Sequence, residues 1–323
     1  MRPTWPLLLM TGLQGLAGGL IITLALLGLT LGARALSVEA WSLLSLTSLI
    51  LVGAGGAASI FHMHRLAGAR FLLRRLATSW LSREVLTTTL LGLATAAAVV
   101  LPRLFPAAAG WYPELVGAAA VLALIALFVT AMIYATIPAM LSWHSPLTVV
   151  TMMGTGILGG AVWADAGWLL AGPHTALSSA VFAGLLRGSL VLWALFKVLQ
   201  FRTFREARSR IRAETGFGLP RGPHRLLDTG TTRAPYRTQP QVWPSIGRLR
   251  RRLLEGGVLA LALAVIVLVG IQTAWAGLSA ALVATVLTYV ERWLFFADAT
   301  HSSLVWFPAA TEGMALPRAG THA

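Results

Sequence analysis

Eight apolar runs, each long enough to cross a ~30 Å hydrocarbon core, leave this chain almost no choice of fold. They lie at roughly residues 5–32, 40–62, 84–101, 113–137, 146–170, 177–200, 253–274 and 277–297. A backbone in lipid has no water to bond, so a spanning run of this length closes its hydrogen bonds internally as a helix. The pattern predicts an all-α polytopic membrane protein with eight transmembrane helices. Composition agrees. The 323 residues are 57% hydrophobic and 11% charged, against roughly 25% charged in a soluble domain. The first run is too long for a signal-peptide core and has only Arg2 before it,. The absence of cysteine excludes disulfides and cysteine-ligated clusters within this chain.

The polar interruption at 201–252 is rich in Pro, Gly and Arg. It divides the chain into helices one to six (1–200), a basic loop (201–252), helices seven and eight (253–300) and a tail (301–323). From Lys197, the only lysine, to Arg252 there are 14 basic residues and 3 acidic ones, which carry +11 of the net +14. Two readings stand. The loop obeys the positive-inside rule, or it is a docking arm for an acidic partner subunit, with Arg248, Arg250, Arg251 and Arg252 as docking residues. Nucleic acid is disfavoured, because no aromatic residues interleave with the arginines. Eight spans put both termini on the same side as 63–83, 138–145 and 201–252. That side holds 22 of the 25 basic residues, the other side only Arg34 and Arg103. Both termini are therefore expected in the cytoplasm.

Polar residues at membrane depth gather on the same side. His62 and His64 end the second span, and Glu84 opens the third. Tyr134 ends the fourth, and His144 precedes the fifth. Glu291, Arg292, Asp298 and His301 cluster at the end of the eighth. Snorkelling accounts for Arg65, Arg83 and Arg292. Arg187 is roughly ten residues from either end of its span, so it is expected to face the bundle interior or a partner. Glycines at 18 and 19, at 53, 55 and 56, and at 156, 159 and 160 are candidates for close helix packing.

A one-sided cluster of His, Glu, Tyr and Arg suits proton-coupled chemistry on a lipid-soluble molecule. A quinone headgroup needs hydrogen-bond partners for its oxygens, and its redox change moves two protons with two electrons. Carboxylate and imidazole groups can exchange those protons with water. The candidate residues for quinone binding and proton transfer are His62, Glu84, Tyr134, Arg187 and Glu291. No histidine pair sits mid-span, so no haem is expected, and no metal site is assigned. The competing classes are a transporter, which would show broken helices in related halves, and a purely structural anchor.

Several motifs resemble one family. They are Trp5-Pro6 with Gln14-Gly15-Leu16-Ala17-Gly18-Gly19, then Ser59-Ile60-Phe61-His62, then Ser82-Arg83-Glu84 with its glutamate 22 residues beyond the histidine. Met132-Ile133-Tyr134-Ala135, Trp143-His144-Ser145-Pro146-Leu147 and Glu291-Arg292-Trp293-Leu294-Phe295-Phe296 continue the pattern. The chain resembles the membrane-anchor subunit of dimethyl sulfoxide reductase-type molybdoenzymes. The resemblance implies a bacterial inner-membrane protein. It would hold an iron–sulfur subunit with four clusters and a molybdopterin catalytic subunit. It would exchange electrons with ubiquinone or menaquinone, the clusters and molybdopterin residing in the partners. It also implies a quinol-binding role for His62 and Glu84. Thr215-Gly216-Phe217-Gly218-Leu219 and Arg225-Leu226-Leu227-Asp228 are similar to the loop of the sulfite-oxidising branch, whose catalytic subunits stay in the cytoplasm. The alternative is an anchor of an S- or N-oxide reductase that oxidises quinol.

The charge asymmetry sets the first prediction. Reporter fusions at 64–82 and 201–250 should read out as cytoplasmic, and fusions beside Arg34 and Arg103 as external. An external signal from the long loop would reverse the orientation.

Overall fold

The computed structural model describes residues 3–32, 36–62, 74–171, 176–209 and 239–299. Eight helices among these are long and apolar enough to cross a membrane. They are α1 (Trp5–Leu31), α2 (Val38–His62), α3 (Trp80–Leu104), α4 (Tyr112–Ala135), α5 (Pro146–Ala171), α6 (Ala176–Ser209), α7 (Gln239–Ile271) and α8 (Ala274–Ala297). Local signals set several ends. Pro6 occupies the first turn of α1, where its missing N–H costs nothing, and Gly32 closes that helix at φ 80°. Ser79 caps α3 by accepting a hydrogen bond from the Ser82 amide, and Thr273 caps α8 through the Ala276 amide,.

Two helices outrun their predicted spans. Helix α6 continues to Ser209 and α7 begins at Gln239, so both enter the stretch read as a loop. At 1.5 Å per residue each is about 50 Å long, well beyond the hydrocarbon thickness. Hydropathy marks where the membrane is, and a polar helix leaving it carries no such mark. Of the predicted loop, 210–238 lies outside the described residues, as does the whole tail 301–323.

Helix α1 occupies the centre. Its apolar window is 83% buried, against 28% for α3, α6 and α7. It packs on α2, α4, α5 and α8. Its contact with α5 is backbone to backbone. A methyl group built on Gly156 would lie 2.9 Å from the Gly15 Cα, and one on Gly19 or Gly160 would overlap the opposite backbone outright. The pairs Gly15/Gly19 and Gly156/Gly160 are each four residues apart, so both lie on one face. Lipid supplies no hydrophobic drive between helices, and close backbone approach of this kind takes its place. Gly159 meets Leu16, and Gly18 meets Leu127. Gly55 lies against Gln14, whereas nothing lies near Gly53 or Gly56, so the second predicted glycine group is only partly a packing feature.

At the end of the bundle where α1 starts and α8 finishes, aromatic side chains form a second core. Trp143 stacks on Phe295 at 5.2 Å and 8°, and Tyr134 meets both edge-on. The Trp143 indole donates to the Phe295 carbonyl at 3.2 Å. Two motifs that are far apart in sequence, Trp143–Leu147 and Glu291–Phe296, are thus halves of one contact. Each such ring pair contributes about 0.5–1.5 kcal/mol beyond burial.

Substituting the glycines separates packing from composition. Gly160→Ala should force α1 and α5 apart and lower the thermal unfolding midpoint in detergent by several degrees, or prevent accumulation. Gly53→Ala should match the parent protein in the same melt. Equal melting of the two variants would remove the crossing as a determinant of the fold.

Candidate functional site

Glu84 lies in the second turn of α3, close to the positive end of that helix dipole. Its carboxylate is 5% exposed. Oε1 accepts a hydrogen bond from the Thr130 hydroxyl on α4 at 2.6 Å. Thr130 and Tyr134 are four residues apart and share one face of α4. Tyr134 is buried among Trp143, Phe295 and Phe296. Glu84 thus pairs with Thr130 between α3 and α4, and Tyr134, one turn on, carries the polar face of α4 to α8. Arg83, next to Glu84, turns outward. It donates to the Leu76 and Ala77 carbonyls at 2.8 and 2.7 Å and lies over the Trp80 ring, as a snorkelling residue would.

His62 is the last residue of α2. Its side chain lies outside the described residues. The same holds for the side chain of Arg248 and for all of His64, Arg65 and His301. His144 is exposed, with Nδ1 2.8 Å from the Ala135 carbonyl oxygen.

Glu291 sits on α8 in a separate charged cluster. It is fully buried and ion-paired with Lys197 of α6. Lys197 also donates to Gln200 Oε1 at 2.6 Å. Arg292 reaches the Met152 carbonyl at 2.7 Å and stands 3.6 Å from Glu291 Oε2. It is 2% exposed, so the snorkelling expectation for Arg292 is wrong. Its position on α8 faces α5, and the guanidinium has a carbonyl to bind without leaving the protein.

A second network continues toward the helix ends. Arg205 donates to Glu255 at 2.7 Å. Arg251 pairs with Glu255 and with Asp298, each at 3.0 Å. This corrects the docking assignment of Arg251. It is buried and committed within the chain, whereas Arg250 and Arg252 beside it are exposed. The spacing of Arg251 and Glu255, four apart on one helix, carried that signal in the sequence. Lys197 carried one too, as the only lysine inside an apolar span. Thr130 and Gln200 carried none.

Arg187 does not join this site. It is exposed on α6, with its guanidinium about 3.3 Å from where a side chain on Gly270 would begin. Helical side chains lean toward the N-terminus of their helix, and α6 starts at the face opposite Glu84. The arginine therefore extends away from the site; of the two expected placements, the bundle interior is excluded and a partner-facing position remains.

Sequence comparison agrees with this geometry. Residues 1–217 match the family described as DMSO reductase anchor subunit (DmsC). The chain is also 27% identical over 328 residues to a sulfite dehydrogenase subunit of Allochromatium vinosum, covering 95% of this chain and 99% of that protein. With two thirds of its length matched, this chain belongs to the DMSO reductase anchor subunit family of membrane proteins.

Proposed function

We propose that this chain is the quinone-reactive anchor of a complex with an iron–sulfur subunit and a molybdopterin subunit, placed in a bacterial inner membrane. It passes electrons between the iron–sulfur subunit and the quinone pool. Full-length similarity to a sulfite dehydrogenase subunit favours sulfite oxidation on the cytoplasmic side. The observation that carries the reading is Glu84, a buried carboxylate held by one hydroxyl at the charged face of an anchor-family protein.

A quinone at this face would supply two-electron, two-proton chemistry. The donors and acceptors fit such a headgroup, because Glu84 and the Thr130 hydroxyl meet between α3 and α4 and Tyr134 lies one turn along α4 among aromatic rings. Thr130 fixes the carboxylate orientation through its 2.6 Å bond. Glu84 holds or releases the proton exchanged with a quinone oxygen. The aromatic group around Tyr134 keeps water away from it. The basic face meets the cytoplasm by the positive-inside rule, and the exposed Arg250 and Arg252 meet an acidic partner surface. A transporter fits less well. The described spans run as continuous helices; Pro102 lies in the last turn of α3 and Pro244 in the polar start of α7, and none is broken at mid-membrane.

Glu84→Gln should keep assembly and turnover with a soluble electron carrier but abolish quinone-linked turnover. Thr130→Val should lower that turnover roughly tenfold, the scale of one hydrogen bond to a charged group. Normal quinone turnover in Glu84→Gln would remove it from the mechanism. In the basic region, Arg250→Gln with Arg252→Gln should release the peripheral subunits from membranes at lower salt. Arg251→Gln should instead destabilise the chain itself by about 3 kcal/mol, since it takes the guanidinium from Asp298 and leaves Glu255 with Arg205 alone,. Detergent melting and a salt wash distinguish the two effects, and identical behaviour of all three arginines would contradict the assignment.

A further inference from the structure

Lys197, Glu291 and Arg292 come from α6 and α8, and among the described residues several polar atoms around them have no match. Gln200 uses Oε1 for Lys197, while its Nε2 donor finds no partner there. Within the same described residues Glu291 Oε2 accepts no hydrogen bond, and Arg292 Nε and Nη1 donate none. Arg292 Nη1 and Glu291 Oε2 stand 3.6 Å apart, beyond direct hydrogen-bond range and within reach of one bridging molecule. An unmatched buried polar atom costs about 1–3 kcal/mol, so a group of them around one ion pair calls for an occupant.

The occupant must accept from the arginine and the amide and donate to the carboxylate. A quinone oxygen accepts but cannot donate. An anion meets Glu291, and a cation meets Lys197 and Arg292. Water does both, and buried waters usually make about three hydrogen bonds. The cluster has polar neighbours on both sides. Asp298, two turns beyond Glu291 along α8, pairs with Arg251, then Glu255, then Arg205 at the protein surface. On the other side Tyr134 packs on Phe295 and Phe296, the next turn of α8 after Arg292, and shares its face of α4 with Thr130, which holds Glu84.

We propose that this polar cluster between α5, α6 and α8 holds ordered water and, with the Lys197–Glu291 pair, forms a proton-transfer station serving Glu84. The inference rests on the quinone reading above and adds the route by which its protons arrive or leave. For a proton moving inward, the Lys197 ammonium gives a proton to Glu291 and is reprotonated by water from the charged face, and Glu291 then releases its proton to the ordered water on the side of Glu84. Each member ends as it began, and the net event is one proton moved from the aqueous charged face toward Glu84; the outward move is the reverse. Arg292 is a positioning residue, which holds the carboxylate and its water.

The test uses the intact membrane complex with Lys197→Met, Glu291→Gln and the charge-balanced double variant. All three should lose quinone-linked turnover by roughly 100-fold, the scale of a lost proton-transfer group. In the double variant, subunit retention and turnover with a soluble carrier should persist. A purely structural ion pair predicts the opposite, because removing both partners relieves the stranded charge. Recovery of quinone turnover in the double variant therefore overturns the proposal. Radiolytic hydroxyl-radical footprinting of the unmodified complex gives a second, variant-free reading. Phe201 and Met152, buried beside Lys197 and Arg292, should label quickly, while the buried Tyr112 and Trp41 should not. Absence of label at Phe201 and Met152 removes the water. Glu84→Gln in the same assay separates the two levels. If it is inactive while the double variant is normal, only the proton station falls. If it is fully active, the quinone reading falls with it.

Discussion

Glycine against glycine at the crossing of α1 and α5 sets the geometry on which everything else depends. A methyl group on Gly19 or Gly160 has no room, so the two backbones are locked in one register. Helix α1 then passes that register to its other neighbours. Gly18 seats Leu127 of α4, and Gly28 seats Pro113 at the start of α4. Ser48 of α2 donates to the Ala17 carbonyl at 3.0 Å, and Gly12 lies under Tyr289 of α8. Thr130 is one turn beyond Leu127 and Tyr134 two turns beyond. The position of the polar face of α4 beside Glu84 is thus an outcome of packing at the bundle centre.

Burying so many charges at one end of the bundle is costly in isolation. Desolvating an ion pair often exceeds what its attraction returns. The cost is offset here because charges are shared. Glu255 is shared by Arg205 and Arg251, Glu291 lies between Lys197 and Arg292, and Arg251 serves both Glu255 and Asp298. The network clamps α6, α7 and α8 where α6 and α7 leave the membrane, giving two long polar helices a fixed base. It also places ionisable groups next to the aromatic wall formed by Tyr134, Phe295 and Phe296.

Length and apolarity made the eight spans legible, and those properties depend on the bilayer alone. Tertiary placement was legible only where a residue has one physical option. Gly19 and Gly160 fit that description, since a side chain at either has nowhere to go. Arg292 and Arg187 do not. Both are arginines in spans, and the sequence does not say which way a helix is rotated. One turned inward to a carbonyl, and the other turned outward along α6. Arg251 looked like its exposed neighbours because a run of arginines hides the rotation of about 100° between successive helix positions. Glu84 was found through family resemblance and its spacing from His62. Its hydroxyl partner, Thr130, is 46 residues away in an apolar helix and left no local trace.

Native mass spectrometry of the complex released in mild detergent tests the central claim most directly. The account predicts that this chain emerges with an iron–sulfur chain, a molybdopterin chain and a bound quinone, and that Glu84→Gln loses the quinone while keeping both chains. A chain that emerges alone, or a complete assembly whose quinone is indifferent to Glu84, would contradict it.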